Sequence, residues 1–216
     1  MISLISSILA NIMTFFHDTL GVGWGMAIIF LTLLVKVVLF PFTLTQIKSA
    51  EGVKKIQPEL QKIQTKYKNN PEEQQRRVTE LYKKNNVNPL GSCLPLILQM
   101  PILWALFRLL DKPEVYNIDF ANAVFLTMDL TKSHSYWLLA VISALTSFIN
   151  QKMSTVSAAD PSQSAILYIM PLFWGWITYT LKAGVGLYWV ASMVIAIIQQ
   201  WIITRFFIKE EERKLK

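Results

Sequence analysis

Lys36 is the residue of this sequence whose chemistry most needs an explanation. It lies inside a long apolar stretch, about 18 Å along a helix from both Trp24 and Lys48 at the usual rise per residue. A lysine at the centre of a bilayer costs roughly 2.5 to 3.5 kcal/mol by insertion scales. No Asp or Glu lies within any of the apolar segments defined below to pair with it. Water is the remaining partner, so we infer a hydrated cavity that is open to at least one side of a membrane.

Polar residues at helical spacing occur on one face of several apolar segments. They include Thr32, Lys36, Thr43 and Gln46 in the first segment, and Ser143, Thr146, Ser147, Asn150 and Gln151 in the third. Ser92 and Gln99 share a face of the second, and Tyr188, Ser192 and Gln199 share one of the fifth. For any single Ser or Thr, helix packing is the more frequent role. Together the stripes predict a polar groove inside the bilayer centred on Lys36.

The composition is that of a protein with several membrane-spanning helices. Hydrophobic residues make up 53% of the chain and charged residues 16%, against roughly 25% charged in soluble domains. The net charge of +7 comes mainly from basic blocks beside apolar segments, which argues against DNA binding. Cys93 is the single cysteine, and His17 and His134 are far apart, so we expect no disulfide, metal site or cofactor.

We predict an all-α integral membrane fold with five transmembrane helices, flanked by soluble segments. Residues 1–21 have apolar positions at helical spacing and are expected to form an outer interfacial amphipathic helix. The predicted spans are residues 22–46, 89–110, 135–153, 163–181 and 185–207. They are connected by a hairpin (47–88), an outer polar linker (111–134) and a cytoplasmic loop (154–162), and a tail (208–216) follows.

Residues 47–88 are predicted to form an antiparallel helical hairpin outside the bilayer. An amphipathic repeat precedes Asn70, Pro71 and Glu73, which have the order of an N-cap, a first-turn proline and a capping-box acid. Attraction to anionic lipid and contact with ribosomal RNA are both compatible with its charge. The basic residues expected to act in the hairpin are Lys54, Lys55, Lys62, Lys66, Arg76 and Arg77.

The distribution of basic residues predicts the orientation. With five spans, sixteen Lys and Arg lie in the hairpin, in the tail or at the adjoining ends of the third and fifth spans (Lys152 and Arg205), and three lie on the opposite side. Because basic residues concentrate in cytoplasmic segments, we expect the N-terminus outside and the C-terminus in the cytoplasm. Arg108 lies near the outer end of its span, where a side chain reaching the headgroups is the expected role.

Short motifs occur in a specific order along the chain. They are Asn88-Pro89-Leu90-Gly91-Ser92-Cys93 leading into Pro95, Gln99-Met100-Pro101-Ile102, Gln151-Lys152-Met153-Ser154, Asp160-Pro161, Met170-Pro171, Gly186-Leu187-Tyr188-Trp189 and Ile198-Gln199-Gln200. With these motifs and the basic hairpin, the chain from Gly23 onward resembles the YidC/Oxa/Alb family of membrane protein insertases, in particular its short members without a large outer domain.

The resemblance implies a five-helix core around a hydrophilic groove that passes client helices from the cytoplasm into lipid. It places Lys36 at a position where the family usually has Arg, and it implies groove or client contacts for Thr32, Gln99, Gln151, Tyr188 and Trp189. We add Asn150, Ser192 and Gln199 from the polar stripes. Expected partners are nascent membrane proteins, the lipid of a bacterial plasma membrane, the Sec translocon, the ribosome and signal recognition particle. The basic tail is shorter than those with which some members contact ribosomes.

Two other function classes fit the sequence less well. A small ion channel or transporter would also use an intramembrane charge, but no inverted repeat or paired broken helices are evident. An intramembrane protease is excluded because no span contains a pair of Asp, and His134 and Ser92 lie at opposite ends of their spans. The sequence therefore predicts an insertase and chaperone without catalytic residues.

Overall fold

The computed structural model describes residues 2–88, 94–120, 123–133, 136–154 and 161–208. The described part is mainly helical, in agreement with the predicted all-α fold. Its long helices, in chain order, are α1 (Ile2–Leu20), α2 (Trp24–Val38), α3 (Phe40–Lys66), α4 (Pro71–Lys84), α5 (Leu94–Asp111), α6 (Trp137–Ser154), α7 (Pro161–Thr180) and α8 (Ala183–Ile202). Motif residues 89–93, His134, Asp160 and most of the predicted 154–162 loop and 208–216 tail lie outside the described residues.

Helix α8 contacts two groups of packed helices, α1 with α2 and α5, and α6 with α7. Helix α1 packs against α5 and α2, α2 packs against α8, α8 against α6, and α6 against α7. Its main core, between α1, α2, α5 and α8, includes the fully buried side chains of Met13, Ile28, Leu31, Leu106 and Leu109. Among the described residues, α5 and α7 share no extensive contact. A cleft therefore separates these two helices.

The predicted span 22–46 is two helices rather than one straight helix. Helix α2 ends at Val38 and α3 begins at Phe40, and their axes differ by 64°. Pro41 in the first turn of α3 lacks a backbone N–H, and in a continuous helix its ring would clash with the carbonyl of Val37 four residues earlier, which accounts for the break. Helix α3 then continues through residue 47, where the prediction began the hairpin, so the end of the span and the first hairpin helix form one element.

The hairpin of α3 and α4 has a small core of its own. Ile56, Leu60 and Leu81 are buried between the two helices. The side chain of Asn70 accepts a hydrogen bond of 3.2 Å from the backbone N–H of Glu73, which is the helix cap that the sequence predicts. The apolar interface and the cap together explain why this basic segment folds outside the main bundle.

The segment between α5 and α6 is more ordered than a polar linker. It contains a 3-10 turn (Pro113–Tyr116) and the antiparallel strands β1 (Val124–Phe125) and β2 (Met128–Asp129). A Cβ at Gly25 would lie 2.3 Å from the Phe125 ring, so glycine allows the strand to approach α2. The N–H groups of Ala183 and Gly184 donate to the carbonyls of Lys132 and Leu130, each at 2.9 Å. The linker therefore fastens the start of α8.

Length and hydropathy identify membrane-spanning candidates among the described helices. Helix α8 and the following π-helical turn form a 26-residue apolar helix, Ala183–Ile208, which is long enough to cross a membrane alone. Helices α2 and α3 pass the same test together as a bent pair. Helices α5, α6 and α7 contain 18, 18 and 20 residues. At 1.5 Å per residue they are about 27 to 30 Å long.

Candidate functional site

A polar cavity lies at the bend between α2 and α3. It has a volume of about 60 Å³, and its lining comes from α2, α3, α5, α8 and the bend itself. A cavity of this size and polarity meets the requirements for holding water, whose share of liquid volume is about 30 Å³. The lining residues are Lys36, Leu39, Phe42, Thr43, Gln46, Gln99, Ala196 and Gln199.

Lys36 lies in the last turn of α2, immediately before the bend. Its side chain is partly exposed, and none of the carboxylates that the structure describes forms an ion pair with it. A partly buried ammonium without a carboxylate partner is stabilised by water or by an anionic group from outside the chain. The bend makes the cavity possible, since a straight helix would continue through the space beside Lys36.

Gln199 supplies the polar wall opposite Lys36. Its amide Nε2 donates a 3.1 Å hydrogen bond to the backbone carbonyl of Lys36, which joins α8 to the end of α2. The Oε1 atom of the same side chain is buried and has no hydrogen-bond partner among the described residues. A buried acceptor of this kind is costly unless it is satisfied. Water or a donor on a bound segment, placed between this oxygen and the Lys36 ammonium, would satisfy it.

Gln99 lines the cavity and connects α5 with α8. Its amide Nε2 donates a short hydrogen bond to the hydroxyl of Tyr188, which is fully buried. This bond joins α5 to α8, although α5 otherwise packs chiefly on α1. Tyr188 is therefore in direct contact with Gln99, a residue that lines the cavity.

A second, larger cavity occupies the cleft between α5 and α7. Its volume is about 820 Å³, and α8 forms part of its wall through Val185 and Trp189. Trp189 stacks on Trp174 of α7 with a centroid distance of 4.2 Å. Helix α8 thus borders both cavities. Ala196 and Gln199 line the polar cavity, and Val185 and Trp189 line the mostly apolar cleft.

A family model described as 60Kd inner membrane protein matches residues 15–211. The Membrane protein insertase YidC of Caldanaerobacter subterraneus is 36% identical over 202 residues, which are 93% of this chain and 94% of that protein. The chain belongs to this family. It therefore belongs among the membrane protein insertases and is not an enzyme.

Some of the YidC proteins that match are longer than this chain. The one from Campylobacter jejuni is 33% identical over 202 residues, which are 94% of this chain but 38% of that protein. A solved structure described as an active YidC insertase with the first transmembrane domain resolved matches with a TM-score of 0.71 and 28% identity, over 93% of this chain and 46% of that one. The likeness thus covers the chain almost completely and a part of the longer relatives.

The structure distributes the predicted groove residues of this YidC-family chain over several environments. Lys36, Gln99 and Gln199 line the polar cavity. Tyr188 is hydrogen-bonded to Gln99, and Trp189 lines the cleft. Two further residues are buried in helix packing: the hydroxyl of Thr32 donates to the Ile28 carbonyl at 2.6 Å, and Ser192 is 6% exposed. The partly buried residues Asn150 and Gln151 lie on α6, which contributes to neither cavity.

Three lining residues were missed by sequence reasoning. Leu39 and Phe42 lie on either side of the break, and their role depends on a bend that a helical wheel does not contain. Ala196 lies between Ser192 and Gln199 at helical spacing, so the periodicity of α8 was a signal for it. Its small side chain leaves room for the cavity.

The basic residues of the hairpin differ in their partners. Lys54 bonds Glu51 at 2.7 Å and donates to the carbonyl of Met153 at 2.6 Å, so it connects the hairpin with the last turn of α6. Lys55 has a partner, and Lys62 and Lys66 are exposed.

The remaining two basic residues, Arg76 and Arg77, both bond Glu73, and the hydrogen bond from Arg76 is the main cause that lowers the pKa of that carboxyl. Arg76 and Arg77 therefore hold α4 together as well as carrying charge. The structure describes no group of three or more His, Cys, Asp or Glu side chains that would hold a metal ion.

Proposed function

We propose that this chain inserts transmembrane segments of client proteins into the bilayer through the polar cavity and the adjoining cleft. The observation that carries the proposal is the position of Lys36, a partly exposed cation beside a polar cavity at a helix bend. None of the described carboxylates is paired with it, so its charge is available to a client. Family membership supports the same activity.

The proposed mechanism needs no covalent chemistry. A hydrated cavity shortens the hydrocarbon path that a client's polar segment has to cross, and Lys36 attracts acidic residues in that segment. Burial of about 20 apolar residues in lipid then drives the client helix out of the protein. The cleft between α5 and α7, whose walls are mainly apolar, is the proposed exit because no extensive packing between described residues closes it.

The proposed topology has five spans: α2 with the start of α3, then α5, α6, α7 and α8. The lengths of α5 to α7 support it, since about 27 to 30 Å matches the hydrocarbon thickness. The excess of basic residues on one side supports a cytoplasmic hairpin and C-terminus. Clients are proposed to arrive from ribosomes or signal recognition particle, with the chain acting alone or beside the Sec translocon.

The hairpin is proposed to receive clients, and Lys54 is the contact that would hold it at the bundle. Lys54→Met removes the bond to the Met153 carbonyl, while Lys62→Met removes an exposed charge of the same hairpin. We expect faster hydrogen exchange in α3 and a changed insertion rate for Lys54→Met alone. Identical behaviour of the two variants would mean that the hairpin acts only through its overall charge.

Site-specific photocrosslinking tests the client path. A photoreactive phenylalanine derivative replaces Phe42 at the polar cavity or Trp104 in the cleft, and Val141 on the exposed face of α6 is the control. Stalled nascent clients should crosslink at Phe42 when their helix is short and at Trp104 when it is longer, and not at Val141. Equal crosslinking at all three positions would contradict the path.

A channel or transporter is the alternative that the lysine-lined cavity also permits. Ion flux in liposomes that contain the protein without any client would favour it. A tight bilayer together with client insertion would favour the insertase.

A further inference from the structure

The cleft between α5 and α7 has one end that differs chemically from the rest. Its walls are mainly apolar and aromatic, with Leu103, Trp104 and Phe107 from α5 and Ile177 and Leu181 from α7. At the Asp111 end of α5, three charged side chains border the same cavity, namely Arg108, Asp111 and Lys112. With a volume of about 820 Å³, the cavity lies within the range of small-molecule sites, roughly 300 to 1,000 Å³.

The charge at this end is positive. Arg108 lies in the last turn of α5, and Lys112 directly follows the helix, where its backbone N–H donates to the Arg108 carbonyl at 3.1 Å. The Asp111 carboxylate is paired with Lys182 at 3.0 Å, and the Lys182 ammonium also donates to the Asp111 carbonyl at 2.8 Å. Neither Arg108 nor Lys112 forms an ion pair or hydrogen bond with another side chain that the structure describes. Two cations are therefore left to meet an anion from outside the chain.

Deeper in the cleft, a polar group lacks a partner. Trp189 is 9% exposed and lines the cavity, and its indole N–H has no acceptor among the described residues. It lies about 9 Å along α8 from Ala183, at 1.5 Å per residue. Stacking on Trp174 fixes the plane of the indole. A buried donor of this kind fits a ligand that carries an acceptor below its charged end.

We propose that the cleft binds one anionic glycerophospholipid. The phosphate lies between Arg108 and Lys112, an ester carbonyl accepts the Trp189 N–H, and an acyl chain extends along the apolar walls. Along the lipid, the phosphate is followed by the ester carbonyl and then by the acyl chain. Their proposed partners in the cleft, namely the two cations, the Trp189 N–H and the apolar walls, follow one another in the same order. In the proposed orientation this lipid belongs to the outer leaflet. The site goes beyond client insertion, because it is occupied without any client.

Lipid retention measured by native mass spectrometry tests this proposal. The full chain is purified in mild detergent from membranes that contain both phosphatidylglycerol and phosphatidylethanolamine. We expect retained phosphatidylglycerol on the unsubstituted protein and at least a fivefold loss in Arg108→Gln and in Lys112→Gln. Arg108→Lys should restore retention. The matched control is Lys132→Gln, which removes one charge at an exposed residue that does not line the cleft.

A second measurement locates the lipid. Phosphatidylglycerol with a photoreactive acyl chain should label peptides of α5 and α7, and Arg108→Gln should reduce this labelling at least fivefold while leaving labelling of the exposed α6 residues Leu138 and Leu145 unchanged. Equal retention of the two lipids, or retention that Arg108→Gln and Lys132→Gln reduce alike, would overturn the proposal. Because neither measurement uses a client, the lipid site and the insertase function fail or succeed independently.

Discussion

Replacing Lys36 with methionine tests whether its charge, rather than its volume, recruits clients. Methionine keeps most of the length and apolar stem but removes the ammonium that borders the polar cavity. Because Lys36 is partly exposed, an effective dielectric of about 20 is appropriate, and a carboxylate at 4 Å is then attracted by about 4 kcal/mol. Hydration and side-chain ordering offset much of this, and hydrogen bonds to charged groups contribute about 1.5 to 3 kcal/mol net.

The lower end of that range corresponds to roughly a tenfold change in rate, since 1.4 kcal/mol is a factor of ten. The assay follows protease protection of a model client in proteoliposomes, with either Asp or Asn in the segment that crosses. We expect Lys36→Met to slow insertion of the Asp client about tenfold and the Asn client less than twofold. Lys36→Arg keeps the charge and should retain insertion of both clients.

The control for protein quality is Lys132→Met, which removes an exposed lysine paired with Asp129 at 3.0 Å. It should leave insertion of both clients unchanged. If Lys36→Met slows the Asp and Asn clients equally at equal expression, then the lysine acts through packing or folding and the electrostatic reasoning is wrong. The same holds if neither client is affected.

Three further predictions concern stability. Tyr188→Phe should lower the free energy of unfolding by about 1–3 kcal/mol, because the Gln99 amide loses a buried acceptor; an unchanged thermal midpoint in detergent would contradict this. Gly186→Ala should cost about 1–3 kcal/mol, since its Cβ would lie 2.8 Å from a leucine methyl, whereas Gly23→Ala, with no atom within 4 Å, should cost only the weaker N-cap preference of alanine, about 0.5 kcal/mol, by the same assay. Hydrogen bonds, first from the threonine hydroxyl two residues on, lower the pKa of Asp129 to about 2. Its contribution to the linker is therefore complete above the ordinary pKa of 3.8 and lost as pH falls through about 2; pepsin cleavage of residues 124–133, taken relative to Asp129→Asn at each pH, should rise only in that range, and a relative rise already between pH 5 and 4 would refute it.

Local chemistry explains which parts of the site the sequence could predict. Lys36, Gln99 and Gln199 are polar side chains in apolar segments, and the energetic cost of that placement is visible without knowing the fold. The Asn70 cap depends on neighbours three residues apart and was equally visible. These predictions rest on interactions within one helix.

The features that the sequence did not predict depend on distant residues. Pro41 indicates in the sequence where the helix can break, but the 64° angle between α2 and α3 depends on what α3 packs against. The contact of Lys54 with the Met153 carbonyl joins residues 99 positions apart. The linker's buried apolar residues, Ile118, Phe120, Ala123 and Leu130, follow no sustained period of two or 3.6, so periodicity did not reveal that the linker would fold against the bundle. The cleft between α5 and α7 is likewise a consequence of helix arrangement.

The arrangement around α8 relates the two cavities to each other. Tyr188 and Trp189 are consecutive, and their side chains lie on different faces of the helix: one bonds Gln99 beside the polar cavity, and the other lines the apolar cleft. Helix α5 borders both cavities. It packs mainly on α1, and the Gln99–Tyr188 hydrogen bond is one of its attachments to α8. A single hydrogen bond contributes about 1 kcal/mol net, and residues of α5 and α8 also share the buried core that includes Leu106, Leu109 and Leu187. A client that leaves the polar cavity for the cleft would therefore have to displace the Gln99–Tyr188 bond together with part of this packing, and α5 is the helix expected to move.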